Sequence, residues 1–210
     1  SVGLNEVDLI KITSLYSAKL AYHNFNHIKE VLLAAKKILK DCQNEKIAVN
    51  QRIVNLAILF HDAGYQENHS GLGFSTKESY SAFLAGEFLG EKRFEAKVIM
   101  RIQSAILATE KNGSFVNTES KVVRAADLYG LSSRYDIFLK NACKIKSEYE
   151  LLTGKISNWE KWKHATVKLL EEFLSREIEI TSFFSSGGGH SEFYKRATLN
   201  LRKLRIQPKI

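Results

Sequence analysis

Apolar residues recur along this chain at three- and four-residue intervals, and strictly alternating runs bounded by turn residues are absent. Leu9, Ile12, Leu15, Tyr16 and Leu20 form one stripe over about 4–20. Val31, Leu32, Ala35, Ile38 and Leu39 form the next, over about 22–40, with a break predicted at Asp41-Cys42-Gln43-Asn44. This period is that of amphipathic helices. From Val49 to Asp62 the pattern changes: Ile53, Val54, Leu56, Ala57, Ile58, Leu59 and Phe60 leave almost no polar face. A helix apolar all round is buried on all sides, so this one is predicted to be central, with Gly64 ending it. Ser75-Thr76-Lys77-Glu78 reads as a capping box in which Glu78 answers Ser75, opening a further helix. Val122, Val123, Ala126, Asp127 and Leu128 lie on another, begun by Thr118 or Ser120. Three more are predicted over about 133–153, 157–176 and 191–204. Pro208 is the only proline, so no ring interrupts these helices. The expectation is an all-α fold of seven or so helices in a single domain over 1–210, the candidate chemistry falling within about 20–130.

Ionisable residues on the apolar stretches stand out against this pattern. His23 and His27 lie four apart at the start of the second helix, and so are expected to share its face. His61 and Asp62 close the most buried helix, and Asp127 follows an apolar run. One uncompensated buried polar group costs on the order of 2–7 kcal/mol, and a charge costs more, so a fold that keeps these residues must satisfy them. Two imidazoles and two carboxylates make a mixed nitrogen and oxygen set suited to a divalent metal ion: Mn, Fe, Ni, Co, Zn or Mg.

Composition adds limits. With 44% hydrophobic and 26% charged residues the chain has enough apolar material for a core without disulfides or a structural metal. Cys42 and Cys143 follow no metal spacing and fit free thiols in a reducing cytoplasm. No signal-peptide pattern is seen, and no stretch approaches the ~20 apolar residues of a membrane span, so a membrane partner is not expected. The net charge of +8 suits polyanions, nucleotides and nucleic acids included, but no contiguous basic tract with interleaved aromatics favours a nucleic acid. Gly187-Gly188-Gly189 lacks the Lys and Ser or Thr of a phosphate-binding loop and follows no strand, so it predicts a plain connection.

His27, His61-Asp62 and Asp127 resemble the H…HD…D signature of the HD superfamily of metal-dependent phosphohydrolases. Tyr22-His23-Asn24-Phe25-Asn26-His27 is similar to its Y-H-N-x-x-H segment, and Phe60-His61-Asp62-Ala63-Gly64-Tyr65 to its F-H-D-A-x-Y segment. Phe173-Leu174-Ser175-Arg176, Ile180-Thr181-Ser182-Phe183 and Ala197-Thr198-Leu199-Asn200-Leu201 look like the C-terminal pattern of a small bacterial branch, that of the predicted metal-dependent HD phosphohydrolases. The resemblance implies a helical bundle with a divalent metal held between central helices by His27, His61, Asp62 and Asp127. It implies hydrolysis of a nucleotide or other small phosphorylated metabolite by a metal-activated water. His23 would act as general acid, Asp62 would be catalytic as well as metal-holding, and Asp62 or Glu78 could help a second metal.

The chain departs from the branch in two places. Lys77 stands where Asn is usual, and no His follows Thr109. Lys77 could contact a substrate phosphate or take the place of a second metal. Arg124, one turn before Asp127, could reach the same phosphate, or be a surface or ion-paired residue. Glu78 reads first as the capping partner of Ser75, and His23 could be a buried histidine donating to a carboxylate or a backbone carbonyl. The departures leave a second function class open, a binding or regulatory module with the fold but without turnover. A nuclease is the less favoured third. His69, His164 and His190 read as loop or surface residues, and Trp159 and Trp162 as packing anchors.

Overall fold

The computed structural model describes residues 3–185 and 191–209; the Gly187–Gly189 connection and His190 lie outside the described residues. Among the described residues there are nine α-helices and no strand. They are α1 (Glu6–Thr13), α2 (Phe25–Asn44), α3 (Gln51–Phe60), α4 (Lys77–Glu91), α5 (Ala96–Leu107), α6 (Thr118–Leu128), α7 (Tyr135–Thr153), α8 (Trp159–Leu174) and α9 (Glu192–Ile206), with a 3-10 turn over Tyr129–Ser132. Among the described residues no helix is long and apolar enough to cross a membrane. The chain forms two compact units, Ser1–Asp127 and Leu128–Ile210.

In the first unit α3 is the central element, and its sequence says why. Ile53, Val54 and every residue from Leu56 to Phe60 are buried. A side chain of this kind contributes roughly 1.5–3 kcal/mol on full burial, so one ten-residue helix anchors much of the core. It packs against α2, α4 and α5. Asn50 caps its start by accepting from the Arg52 and Ile53 amides.

α6 runs beside α3 in the same direction. At one end the buried Glu119 Oε1 accepts from the Asn50 amide (2.8 Å) and from Arg101 Nη2 (2.8 Å). At the other, Asp127 Oδ1 stands 3.6 Å from His61 Nε2. These two ties set the register of Asp127 against the end of α3.

Several expected boundaries move. α2 begins at Phe25, capped by Asn24, so His23 precedes the helix and does not share a helical face with His27. α2 also runs through the break expected at 41–44, because Cys42 is buried on its apolar face. The box at α4 is built one residue later than predicted. Thr76 Oγ1 accepts from the Ser79 amide and Ser79 Oγ from the Thr76 amide, so Glu78 is not the capping partner of Ser75. A hydroxyl at the third position is short enough to reach back to the cap, which leaves the Glu78 carboxyl free to turn elsewhere. Asn158 caps α8.

In the second unit, Phe138, Trp159, Val167, Leu201 and Leu204 form a core, with Trp162, Leu170 and Leu174 packed against it. Both tryptophans are thus packing residues. Gly154 ends α7 with φ +67°, a left-handed value that glycine adopts without strain. His164 is exposed. Cys42 is buried, Cys143 half-buried, and both are free.

Candidate metal centre

The end of α3 orients the first imidazole. His61 is the C-cap residue, and its Nδ1 lies 2.9 Å from the Ile58 carbonyl oxygen, one of the acceptors a helix end leaves without a partner. A carbonyl only accepts, so Nδ1 carries the proton and Nε2 points away from the backbone. This is the tautomer a metal-binding imidazole needs, and the carbonyl is the kind of outer partner that holds such rings.

Nε2 of His61 faces Asp62 Oδ2 at 3.1 Å and Asp127 Oδ1 at 3.6 Å. His27 Nε2, from the first turn of α2, faces the same two oxygens at 3.6 Å and 3.5 Å. These are close approaches without hydrogen-bond alignment: His27 Nε2, His61 Nε2 and Asp62 Oδ2 are all buried and have no hydrogen-bond partner. Buried polar atoms converging on one point in that condition call for a cation between them. Ligand bonds of about 2.0–2.2 Å place neighbouring ligand atoms ~3.0 Å apart at right angles and ~3.4 Å apart in a tetrahedron. The His61–Asp62 separation of 3.1 Å falls in that span, and the other three, at 3.5–3.6 Å, lie just above it. His27, His61 and Asp127 form a group that could hold a metal ion, with ligand atoms within 4.8 Å of one another. Both histidines are buried, while Asp127 is 22% and Asp62 12% exposed, so the cluster opens towards solvent on its carboxylate side.

Charge in the cluster follows from this packing. Burial pushes the His61 imidazolium pKa down, but the carboxylates of Asp62 and Asp127 outweigh it and hold the pKa well above the usual histidine value. Burial pushes Asp62 up, yet His61, His23 and His27 together bring it down to about 2. Asp127 is likewise pushed up by burial and, more strongly, held below the carboxylate range by the two histidines.

The turn after His61 is pinned from several sides. Gly64 has φ +71° and donates to the Leu15 carbonyl (3.0 Å). A β-carbon there would lie 2.6 Å from Tyr80 Cε1 and 2.9 Å from Leu84 Cδ1, so space and backbone both require glycine. Ser81 Oγ donates to the Ala63 carbonyl (2.8 Å). Tyr16, read from the sequence as an apolar-stripe residue, donates its hydroxyl to the Leu59 carbonyl (2.7 Å).

The remaining expected site residues separate into near and removed. His23, although outside α2, stacks on Tyr65 (centroids 3.8 Å, planes 11° apart) and lies edge-on to His27 at 5.9 Å. Lys77 donates to the Tyr65 carbonyl, and its Nζ sits 3.9 Å from the centre of the Tyr65 ring. Tyr65 is therefore the support shared by both, a role its place in the sequence does not reveal. Burial raises the Glu78 carboxyl pKa, and Asp62, Glu110 and Asp127 raise it further, which sets Glu78 within electrostatic reach of the cluster. Glu110 itself accepts from Thr76 Oγ1 at 2.6 Å.

Arg124 departs from the surface reading. Its side chain is buried, and Nη1 donates to the carbonyls of Thr109 (2.5 Å) and Glu110 (3.0 Å). It ties α6 to the turn that follows α5 and is not a surface residue. Arg124→Met should remove the donor while keeping most of the apolar stem. Hydrogen bonds from a charged group are worth about 1.5–3 kcal/mol, and a domain of this size shifts ~2–4 °C per kcal/mol. The melting temperature should drop by several degrees with metal stoichiometry unchanged, read by calorimetry and metal analysis. A variant as stable as the wild type would show the tie to be idle.

The chain matches no family model and no curated protein.

Proposed function

We propose that this chain is a metal-dependent phosphohydrolase of the HD type acting on a nucleotide or another small phosphorylated metabolite. The observation that supports the reading is the convergence of His27, His61, Asp62 and Asp127 from three parts of the first unit, with three of their buried ligand atoms lacking a hydrogen-bond partner. His27, His61 and Asp127 would hold a divalent ion, with Asp62 as the fourth ligand. Such an ion supplies Lewis acidity towards a phosphoryl group and lowers the pKa of a water it binds. The Ile58 carbonyl keeps the His61 proton on Nδ1. His23, held by its stack on Tyr65, would carry a proton at a ring nitrogen for the leaving oxygen. Glu78, its carboxyl biased towards the protonated form, would border the same space. The buried imidazoles exclude water from one side of the cluster, and the more open carboxylates leave the other for substrate.

A second reading, a metal-holding module without turnover, is supported by Lys77. Its ammonium is committed to the carbonyl and ring of Tyr65, which leaves it poorly placed to stand in for a second metal. One experiment separates the readings. The purified full chain is supplied with Mn, Mg, Ni or Co and offered nucleoside mono-, di-, tri- and cyclic phosphates, with short RNA and DNA as parallel arms. Turnover of a small phosphate, lost in His61→Ala, is the expected result. Stoichiometric metal without turnover would establish the module, and cleavage of RNA or DNA alone would make the chain a nuclease.

A further inference from the structure

The basic excess of the chain is gathered at one place. Residues 191–209 carry Lys195, Arg196, Arg202, Lys203, Arg205 and Lys209 against one acid, Glu192, in a chain whose net charge is +8. The inward face of α9 is taken up by Phe193, Tyr194, Ala197, Asn200, Leu201 and Leu204, all buried. The opposite face is what the second unit shows to solvent. Leu199 and Ile206, seven residues apart, run down its middle and are 51% and 81% exposed. Lys195 and Arg196 precede Leu199 by four and three residues, and Arg202 and Lys203 follow it by three and four. At helical spacing these are its four nearest neighbours on the surface, so an exposed aliphatic side chain sits inside a ring of cations. Arg202 and Lys203 stand in the same relation to Ile206. Glu192 is paired with Arg196 (2.5 Å), and Arg205 with Glu171. Beside the ring an open hollow of about 400 Å³ is lined by Arg134, Tyr135, Asp136, Arg196, Leu199 and Lys203, with Arg134 paired to Asp136 (2.8 Å).

We propose that the outer face of α9 docks on an anionic phospholipid surface, with Leu199 and Ile206 entering the headgroup layer and the flanking cations meeting lipid phosphates. Contact of this kind needs no spanning helix, and it departs from the sequence-based expectation of no membrane partner. The pairing of an aliphatic centre line with cationic flanks is what distinguishes the partner. A bilayer rewards both features at once, because apolar groups enter the interface while long cationic stems reach outward to phosphate. A nucleic acid would bring its phosphates against the same centre line and leave Leu199 and Ile206 without a complementary surface. A second copy of this face would bring like charges together. The proposal is independent of the function assigned to the metal cluster.

The test is co-sedimentation of the full chain with vesicles of phosphatidylcholine alone or mixed in equal parts with phosphatidylserine. Binding is expected only with the mixed vesicles, and it should weaken as salt is raised, because exposed charges are screened within about 10 Å at 0.1 M. Each cation near such a surface contributes enough that Lys195→Glu with Arg202→Glu should weaken binding at least roughly 30-fold. Leu199→Ser with Ile206→Ser should weaken it as well, with charge unaltered. All four positions are exposed, so circular dichroism and melting temperature should match the wild type. No phosphatidylserine-dependent binding, or binding indifferent to both double variants, overturns the proposal. So does preferential retention of a short RNA that survives Leu199→Ser with Ile206→Ser, which would assign the face to nucleic acid.

Discussion

His61→Ala should leave the protein unable to retain a divalent metal. Loss of an outer-shell partner costs roughly 10–100-fold in affinity, and loss of the ligand itself should cost more. His61 is at the centre of the cluster in a physical sense. Its Nε2 approaches both carboxylates, and its Nδ1, unlike that of His27, is anchored to a backbone carbonyl. Removing it also leaves Asp62 and Asp127 facing each other with one imidazole fewer between them, so their mutual repulsion grows. Metal content by mass spectrometry after dialysis, with calorimetric titration of Mn, measures the effect. His69→Ala is the matched control, since His69 lies in the following loop and should be silent. Wild-type stoichiometry in His61→Ala, with the helical circular dichroism spectrum preserved, would remove the metal centre and the function proposed for it.

Metal affinity should rise steeply with pH through the neutral range, by about tenfold per unit for each proton displaced. In the metal-free protein burial acts to lower the His61 pKa, but Asp62 and Asp127 outweigh it, and the ring keeps its second proton well above the usual histidine value. A metal reaches Nε2 only by displacing that proton. Stability has a matching signature. The raised His61 pKa stabilises the metal-free fold fully below the unfolded histidine value of about 6.5, and that contribution is lost as pH climbs through the folded value. Asp62 acts in the opposite sense. Its carboxyl, depressed to about 2 by the histidines in spite of burial, contributes above the unfolded value of about 3.9, and the contribution fades as pH falls through the folded one. Metal-free protein should therefore be most stable between roughly pH 4 and 6.5 and lose stability above. Bound metal stabilises in proportion to its affinity, so the gap between metal-loaded and chelated melting temperatures should widen as pH rises. Thermal melts with Mn or with chelator across that range are the measurement. A constant gap would mean that no proton leaves the site when metal enters.

The candidate ligands were legible in the sequence because each broke a local apolar pattern. His27 sits ahead of Ile28 and Val31, Asp127 follows Val122, Val123 and Ala126, and the His61-Asp62 pair follows the buried run Leu56–Phe60. The residues around them were not legible in the same way. Arg124 has the same local sequence whether its head meets solvent, a phosphate or the carbonyls of Thr109 and Glu110. Glu78 fits a capping box by spacing, but the shorter Ser79 makes the bond. Tyr65 shows nothing in its neighbourhood that predicts a stack with His23 on one hand and Lys77 on the other.

The sequence by itself determined the helical class, the central position of α3 and which polar side chains would need a partner once buried. Those properties depend on periodicity and on the cost of desolvation, and both act within a few residues. The tertiary structure alone decided that α6 runs alongside α3 through Glu119 and Asn50 so that Asp127 arrives at His61. It alone decided that His23 reaches the cluster from outside a helix, and that Arg124 donates to the Thr109 and Glu110 carbonyls. Contacts of this kind join residues tens of positions apart. They depend on which backbone atoms lie across the gap, and that is a property of packing, which no stretch of sequence carries alone.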